Sequence, residues 1–394
     1  MSYERKIIND PVFGFINIPK GLLYDLVCHP LLQRLTRIRQ LGLSSVVYPG
    51  AQHTRFQHSL GAYYLMTEAI QHLTAKGNFI FDSEAEAVKA AILMHDIGHG
   101  PFSHVLEDTI VRGVSHEDIS LLLMERINHE MNGQLTLAIQ IFKDEYPKRF
   151  LHQLVSGQLD MDRLDYLRRD SFYTGVTEGN IGSARIIKML DVKDDHLVVE
   201  EKGIYSIENF LMARRLMYWQ VYLHKASVAY ERMLIAALLR AKELAAKGIE
   251  VFASPALRFF LYNDINRDIF YSRPECLENF IQLDDNDIWT SLKVWCNHPD
   301  KVLSTLSAGM VNRRLFKVEI SSEPATEERK AELTRQISEM LGVTSEEATY
   351  FISTPGIEKN MYDPADDSID IVYKDGTIKN IAEASDMLNI SLLS

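Results

Sequence analysis

Three short stretches concentrate side chains able to bind cations, hold anions or move protons: HTRFQHSLG at 53–61, HDIGHGPFSH at 95–104 and LDMDRLDYLRRD at 159–170. Adjacent His95 and Asp96 offer one neutral nitrogen and one anionic oxygen to one or two cations. They follow an apolar run, AAILM at 90–94, which predicts a buried helix ending near Gly98. Glycine's freedom at positive φ suits a C-terminal cap there, and Pro101 prevents the helix from resuming. A helix end anchored in the core is a rigid mount for metal ligands. Taken alone, His95 and Asp96 equally fit an imidazolium–carboxylate pair favoured by the helix dipole.

The third stretch reads as a helix on which Asp162, Arg163, Tyr166 and Asp170 form one broad stripe, with Met161 and Leu164 opposite. An ion ligand, an anion binder and a sugar binder could share that face. Viewed singly, it is also what a solvated face held by local ion pairs looks like. A second stripe, Arg214, Tyr218, Tyr222 and Lys225, repeats the pairing of arginine with aromatics. Its alternative is an aromatic core stripe with snorkelling cations. Polar clusters recurring inside three helical apolar patterns favour a site over coincidence.

The elements that must carry these residues are mostly helical. Apolar residues recur every three or four positions over 22–41, 58–73, 84–94, 115–131 and 210–244. A small hairpin turning at Gly203 is expected at 196–206. The last eighty or so residues change character, with an expected strand at 315–320, a charged amphipathic helix at 327–341 and a hairpin at 369–378 turning at Lys374-Asp375-Gly376. The fold class expected is therefore mainly α, a helical core over 1–305 with motifs at 53–170 and supporting helices to about 246, followed by a small α+β lobe over 306–394.

With 394 residues, 46% hydrophobic and 24% charged, the chain has a globular composition. No apolar run approaches the roughly eighteen residues that span a bilayer, so no membrane association is expected. The N-terminal MSYERKIINDP lacks the apolar core of a signal peptide, which makes the cytoplasm the expected compartment. Cys28, Cys276 and Cys296 are widely spaced and form neither a disulfide framework nor a zinc ribbon. A net charge of −12 argues against nucleic acid as a partner.

The order His58, His95-Asp96, Asp162, within the three motifs quoted, resembles the HD-domain phosphohydrolase superfamily and, more narrowly, its deoxynucleoside triphosphate triphosphohydrolases. The resemblance runs from about residue 7 to 225, with a fainter echo at 313–317. It implies an HD-domain helical core and a divalent metal ion, Mg, Mn, Fe or Zn, on His58, His95, Asp96 and Asp162. It implies further that His99, His104 and His116, with Glu107 as acidic partner, form the catalytic group, and His104 is the expected proton donor. Arg55, Arg163 and Arg214 are then the phosphate binders. Gln40 and Asp170 take the sugar 3′-hydroxyl, and Tyr166 and Tyr222 pack against the ring to disfavour a 2′-hydroxyl. Cys28 and Thr36 stand where regulated vertebrate relatives read a guanine activator with an aspartate and an arginine, which argues against that control here.

The activity implied is cleavage of deoxynucleoside triphosphates (dNTPs) to deoxynucleoside and triphosphate by a homo-oligomer. The alternatives are an HD phosphohydrolase acting on nucleoside mono- or diphosphates or other phosphate esters, and a nucleotide-sensing module without turnover.

Overall fold

The structure, a computed structural model, describes residues 5–102, 104–321, 323–356 and 368–386; the side chains of His104 and Asp108 also lie outside the described part. Along the chain come a two-stranded ribbon, β1 (Arg5–Asp10) and β2 (Gly14–Pro19), and the helices α1 (Arg55–Ala75), α2 (Asp82–Met94), α3 (His116–Glu130) and α4 (Met161–Thr174). Strands β3 (Leu190–Lys193) and β4 (His196–Glu200) precede α5 (Ile204–Met217), α6 (Lys225–Ala246), α7 (Asp285–Trp295), α8 (Lys301–Val311) and α9 (Glu327–Leu341). Strands β5 (Asp370–Val372) and β6 (Ile378–Asn380) follow, and a short helix at Ile381–Ala384 comes after them. The molecule is mainly α, as expected. No helix among the described residues is long and apolar enough to cross a membrane.

Helix α1 is the axis of the helical core and packs on both α2 and α4. Thr54 caps it, accepting from the Gln57 amide while the Gln57 side chain accepts from the Thr54 amide, so two otherwise orphaned donors are satisfied reciprocally. Its apolar residues, Leu60, Leu65, Met66 and Ile70 among them, are buried on several sides, as befits a central helix. Helix α2 carries Asp82 and Glu84 in its first turn, where the dipole favours anions, and its last five residues, the AAILM run, are wholly buried. Asp160 caps α4 through the Arg163 amide at 2.6 Å, and Ser115 caps α3 through Asp118.

Several expectations need correction. Helix α2 stops at Met94, with His95 as its capping residue and Asp96 in the turn beyond. Gly98 is not a left-handed cap: a Cβ there would lie 2.2 Å from the His116 carbonyl oxygen and from the Ser120 amide, so glycine is required by the close approach of α3. The 22–41 stretch is a short helix, Leu22–Cys28, then Pro30–Gln33 and a 3₁₀ turn, because Pro30 disfavours helical backbone at His29. The 210–244 pattern is split by a π-helical turn at Tyr218–Tyr222, which breaks the Arg214-to-Lys225 stripe. The 196–206 hairpin instead pairs β4 backwards with β3, turning at Asp194 and Asp195, and Gly203 leads into α5. Residues 315–320 form no strand.

The 327–341 helix and the 369–378 hairpin are present as expected. That hairpin does not form a sheet of its own. Strand β5 lies parallel beside β4, giving a four-stranded sheet ordered β3-β4-β5-β6, so the C-terminal segment completes a sheet begun by the helical region. The expected boundary between 305 and 306 falls within α8, which packs on α6 and α7.

Candidate active site

His58 from the first turn of α1, His95 at the end of α2 and Asp162 at the start of α4 converge on one point and could hold a metal ion. His58 Nε2 lies 3.2 Å from His95 Nε2, and Asp162 Oδ1 lies 3.0 and 3.5 Å from those nitrogens. The other nitrogen of each ring is committed. His95 Nδ1 is 2.6 Å from the Ile92 carbonyl oxygen, and His58 Nδ1 is 2.7 Å from Asp165 Oδ2. Both partners accept, so each Nδ1 donates and each Nε2 presents a lone pair to the centre. Two lone pairs and an anionic oxygen at such range need a cation between them. This donor set fits a divalent ion, and the lined-up rings are the tautomers that binding requires.

Without the ion, protons do part of that work. Burial disfavours charge on His58, yet the Asp162 and Asp165 carboxylates outweigh it and hold its imidazole up at about 10. His95 is raised too, against burial, chiefly by Asp96 and Asp162. Asp162 is itself driven well below the carboxylate range, since the two imidazoles overcome its burial.

Asp96 flanks the trio. Its oxygens lie 3.7 Å from His58 Nε2 and 3.5 Å from His95 Nε2, while Arg55 donates to Oδ2 at 2.6 Å and His99 Nδ1 stands 3.2 Å from Oδ1. The expected catalytic histidines sit beside it. The rings of His99 and His116 have centroids 3.9 Å apart, and His116 Nδ1 meets Glu107 Oε1 at 2.9 Å. Burial, reinforced by the Arg55 charge, depresses the His99 imidazole to about 3. The short helix His104–Thr109 brings Glu107 to this group, but the His104 side chain lies outside the described part.

At the far end of α4, Asp170 is fastened by two side chains, His53 Nε2 at 2.7 Å and the Tyr222 hydroxyl at 2.8 Å. Tyr173 stacks on the His53 ring, and Tyr166 meets Tyr222 edge-on with centroids 6.1 Å apart. Burial pushes both the Tyr166 and Tyr222 phenols above their ordinary range. Gln40 reaches this end through its backbone amide, which donates to the His53 backbone carbonyl at 3.0 Å. Arg214 donates to Gln158 at 2.9 Å, and Arg163 is held by Asp160 and the Gly157 carbonyl.

Three contributors were not singled out by sequence reasoning. Asp165 backs His58; its spacing of four from Arg169 was the available signal. His53 is not in the ligand set that the resemblance implies, yet it is buried on Asp170. Buried Arg34 donates to the carbonyls of Ile97 and His99, at 3.4 and 2.8 Å, and of Leu283 at 3.2 Å, and so braces the loop carrying Asp96. Nothing local in the sequence marks that role.

Residues 55–169 match the HD domain, and residues 181–255 match the HD associated region. The protein YwfO of Bacillus subtilis is 32% identical over 97% of this chain and 88% of its own length. The chain belongs to the HD-domain family. A crystal structure of a phosphohydrolase from Bacteroides thetaiotaomicron is 85% identical, with a TM-score of 0.97 over 99% of this chain and 97% of that one. The deoxynucleoside triphosphate triphosphohydrolase SAMHD1 of Bos taurus is 27% identical, and the Dictyostelium discoideum homologue 30%. These alignments take in 71% and 61% of this chain but only 53% and 50% of the two relatives.

Proposed function

We propose that the protein is a metal-dependent phosphohydrolase that cleaves dNTPs to deoxynucleoside and inorganic triphosphate. The observation that carries this reading is the layout of α4. Asp162 of the metal-ligand trio opens the helix, and Asp170, fastened by His53 and Tyr222, stands eight residues on, with Arg163 and Tyr166 between them. Such a helix suits a substrate with a phosphate chain at one end and a sugar at the other. Similarity to SAMHD1 over part of the chain supports the same reading.

His58, His95 and Asp162, with Asp96 alongside, would hold the divalent ion. That ion, when bound, supplies an activated water at neutral pH and offsets charge at the α-phosphate. Arg55, Arg163 and Arg214 bind phosphate oxygens, exchanging Asp96, Asp160 and Gln158 for charge-assisted bonds to substrate. Gln40 and Asp170 take the 3′-hydroxyl, while Tyr166 and Tyr222 close the space a 2′-hydroxyl would need. As water oxygen bonds to the α-phosphorus, the bond to O5′ breaks and O5′ takes a proton. His104 is the proposed donor, with His99, His116 and Glu107 completing the polar group around it.

The test is an assay of each dNTP, with the matching ribonucleotide as control, in Mg²⁺ or Mn²⁺, with phosphate products resolved by anion exchange. Inorganic triphosphate and a preference for the deoxy sugar are expected. Release of orthophosphate or nucleoside monophosphate would assign the protein to another HD phosphohydrolase reaction.

A further inference from the structure

A line of buried charged groups runs from the N-terminal ribbon to the metal-ligand trio. Asp10, the last residue of β1, accepts from the amides of Val12 and Phe13 on Oδ1, at 3.0 and 2.9 Å, and receives Arg169 Nη1 on Oδ2 at 2.7 Å. Arg169 turns the rest of its guanidinium to Asp165, with Nε 3.0 Å from Oδ2 and Nη2 3.0 Å from Oδ1. Asp165 Oδ2 in turn accepts from His58 Nδ1. Arg169, Asp165 and His58 are fully buried and Asp10 is 7% exposed.

The fold makes room for this line. Gly61 stands three residues after His58 on α1, and a Cβ there would lie 1.9 Å from Asp165 Oδ1 and 2.1 Å from Arg169 Nη2. Any other residue at 61 would push the ion pair out. The Phe13 ring, just past β1, lies 5.7 Å from the Arg169 guanidinium and stacks on Tyr64 of α1, so the ribbon is fixed to both α4 and α1.

We propose that Arg169 and Asp10 are positioning residues for the metal centre, acting through Asp165 on the ring of His58. The inference rests on the reading of His58 as a metal ligand. A carboxylate touched by one imidazole alone can rotate about its Cβ–Cγ bond, and the ring can turn with it. Here a guanidinium fork holds both oxygens of Asp165, which fixes the carboxylate plane and hence the direction in which His58 Nε2 points. Asp10 fixes the guanidinium from its other edge. Asp162, Asp165 and Arg169 lie on one helix, so α4 supplies one ligand directly and orients another that α1 supplies. The ribbon, outside the span matched by the HD domain, thereby becomes part of the metal site's support.

The test measures Mn²⁺ binding by calorimetry on the full chain, with thermal melts to establish folding, for the wild type and for Arg169→Lys, Asp10→Asn and His58→Ala. Loss of a partner that orients a ligand weakens metal binding roughly 10- to 100-fold, and Arg169→Lys is expected in that range because lysine keeps the charge but loses the fork. Asp10→Asn is expected to weaken binding less, in the same direction. Variants that are folded and bind Mn²⁺ with wild-type affinity would overturn the proposal, a lowered melting temperature notwithstanding. Should Arg169→Lys not fold, Asp10→Asn decides by the same criterion. Unchanged Mn²⁺ affinity in His58→Ala would instead defeat the ligand reading, and this inference with it.

Discussion

At the His58, His95 and Asp162 point, each imidazole has its second nitrogen tied to a buried acceptor, Asp165 in one case and the Ile92 carbonyl in the other. Among the side chains assigned to the nucleotide on the proposed reading, Oε1 of Gln40 and Nε of Arg214 are buried with no hydrogen-bond partner among the described residues. Buried polar atoms are nearly always satisfied, and each exception costs stability. The point that could hold a metal ion is therefore oriented in advance by the protein, because each committed Nδ1 leaves Nε2 facing the centre. On the proposed reading these side chains form a nucleotide side that holds polar capacity in reserve, and the substrate supplies the missing partners.

The largest expected effect tests the first half of that comparison. Asp162→Ala removes the anionic oxygen between two imidazoles, and Mn²⁺ content measured on the purified variant should fall to background together with phosphohydrolase activity. The fold should persist, because α4 keeps its Asp160 cap. Full activity in this variant would break the ligand assignment. A smaller effect is expected at the other end. Tyr222→Phe deletes one of two groups on Asp170 while leaving the ring, and the lost hydrogen bond to a charged group is worth about 1.5–3 kcal/mol. If that bond orients the sugar reader, kcat/KM for dNTPs should drop roughly 10- to 100-fold, with metal content unchanged. A loss of metal instead would show that the two sides are not separable.

How much of this was written in the sequence differs along the same divide. His95 and Asp96 were legible from local signals, the AAILM run and the glycine and proline beyond it, whereas His58 and Asp162 were named as ligands by the resemblance. The catalytic and sugar-side residues came from resemblance, and His53, Asp165 and Arg34 were missed, because their partners lie 117, 107 and up to 249 residues away. Periodicity reports which face of a helix is apolar and is silent on what a buried polar side chain meets across the core. The same limit explains the sheet errors. Strand β4 pairs with β3 and with β5, and the latter partner lies about 170 residues further on. The π turn at Tyr218–Tyr222 has no compositional signal at all, yet it lets Tyr222 reach Asp170.

The smallest predicted effect concerns stability behind the nucleotide side. Asp285, in the first turn of α7, receives on Oδ2 at 3.0 Å the backbone amide of Arg39, the residue before Gln40, while its Oδ1 is buried without a partner among the described residues. Burial lifts this carboxyl to about 6, above its ordinary 3.8. The sign follows from proton binding. The folded state holds the Asp285 proton more tightly than the unfolded chain, so this group's favourable contribution is fully present below pH 3.8. It is lost as pH rises through about 6, and above that the fold carries an ionised, half-satisfied carboxylate. Asp285→Asn keeps an oxygen for the Arg39 amide and removes the charge. It should stabilise the metal-free protein at pH 7.5 by on the order of 2 kcal/mol, read from denaturant midpoints, and have little effect near pH 4. Equal midpoints for variant and wild type at pH 7.5 would mean that this carboxylate is satisfied, and that the support behind Gln40 holds no unmet polar capacity.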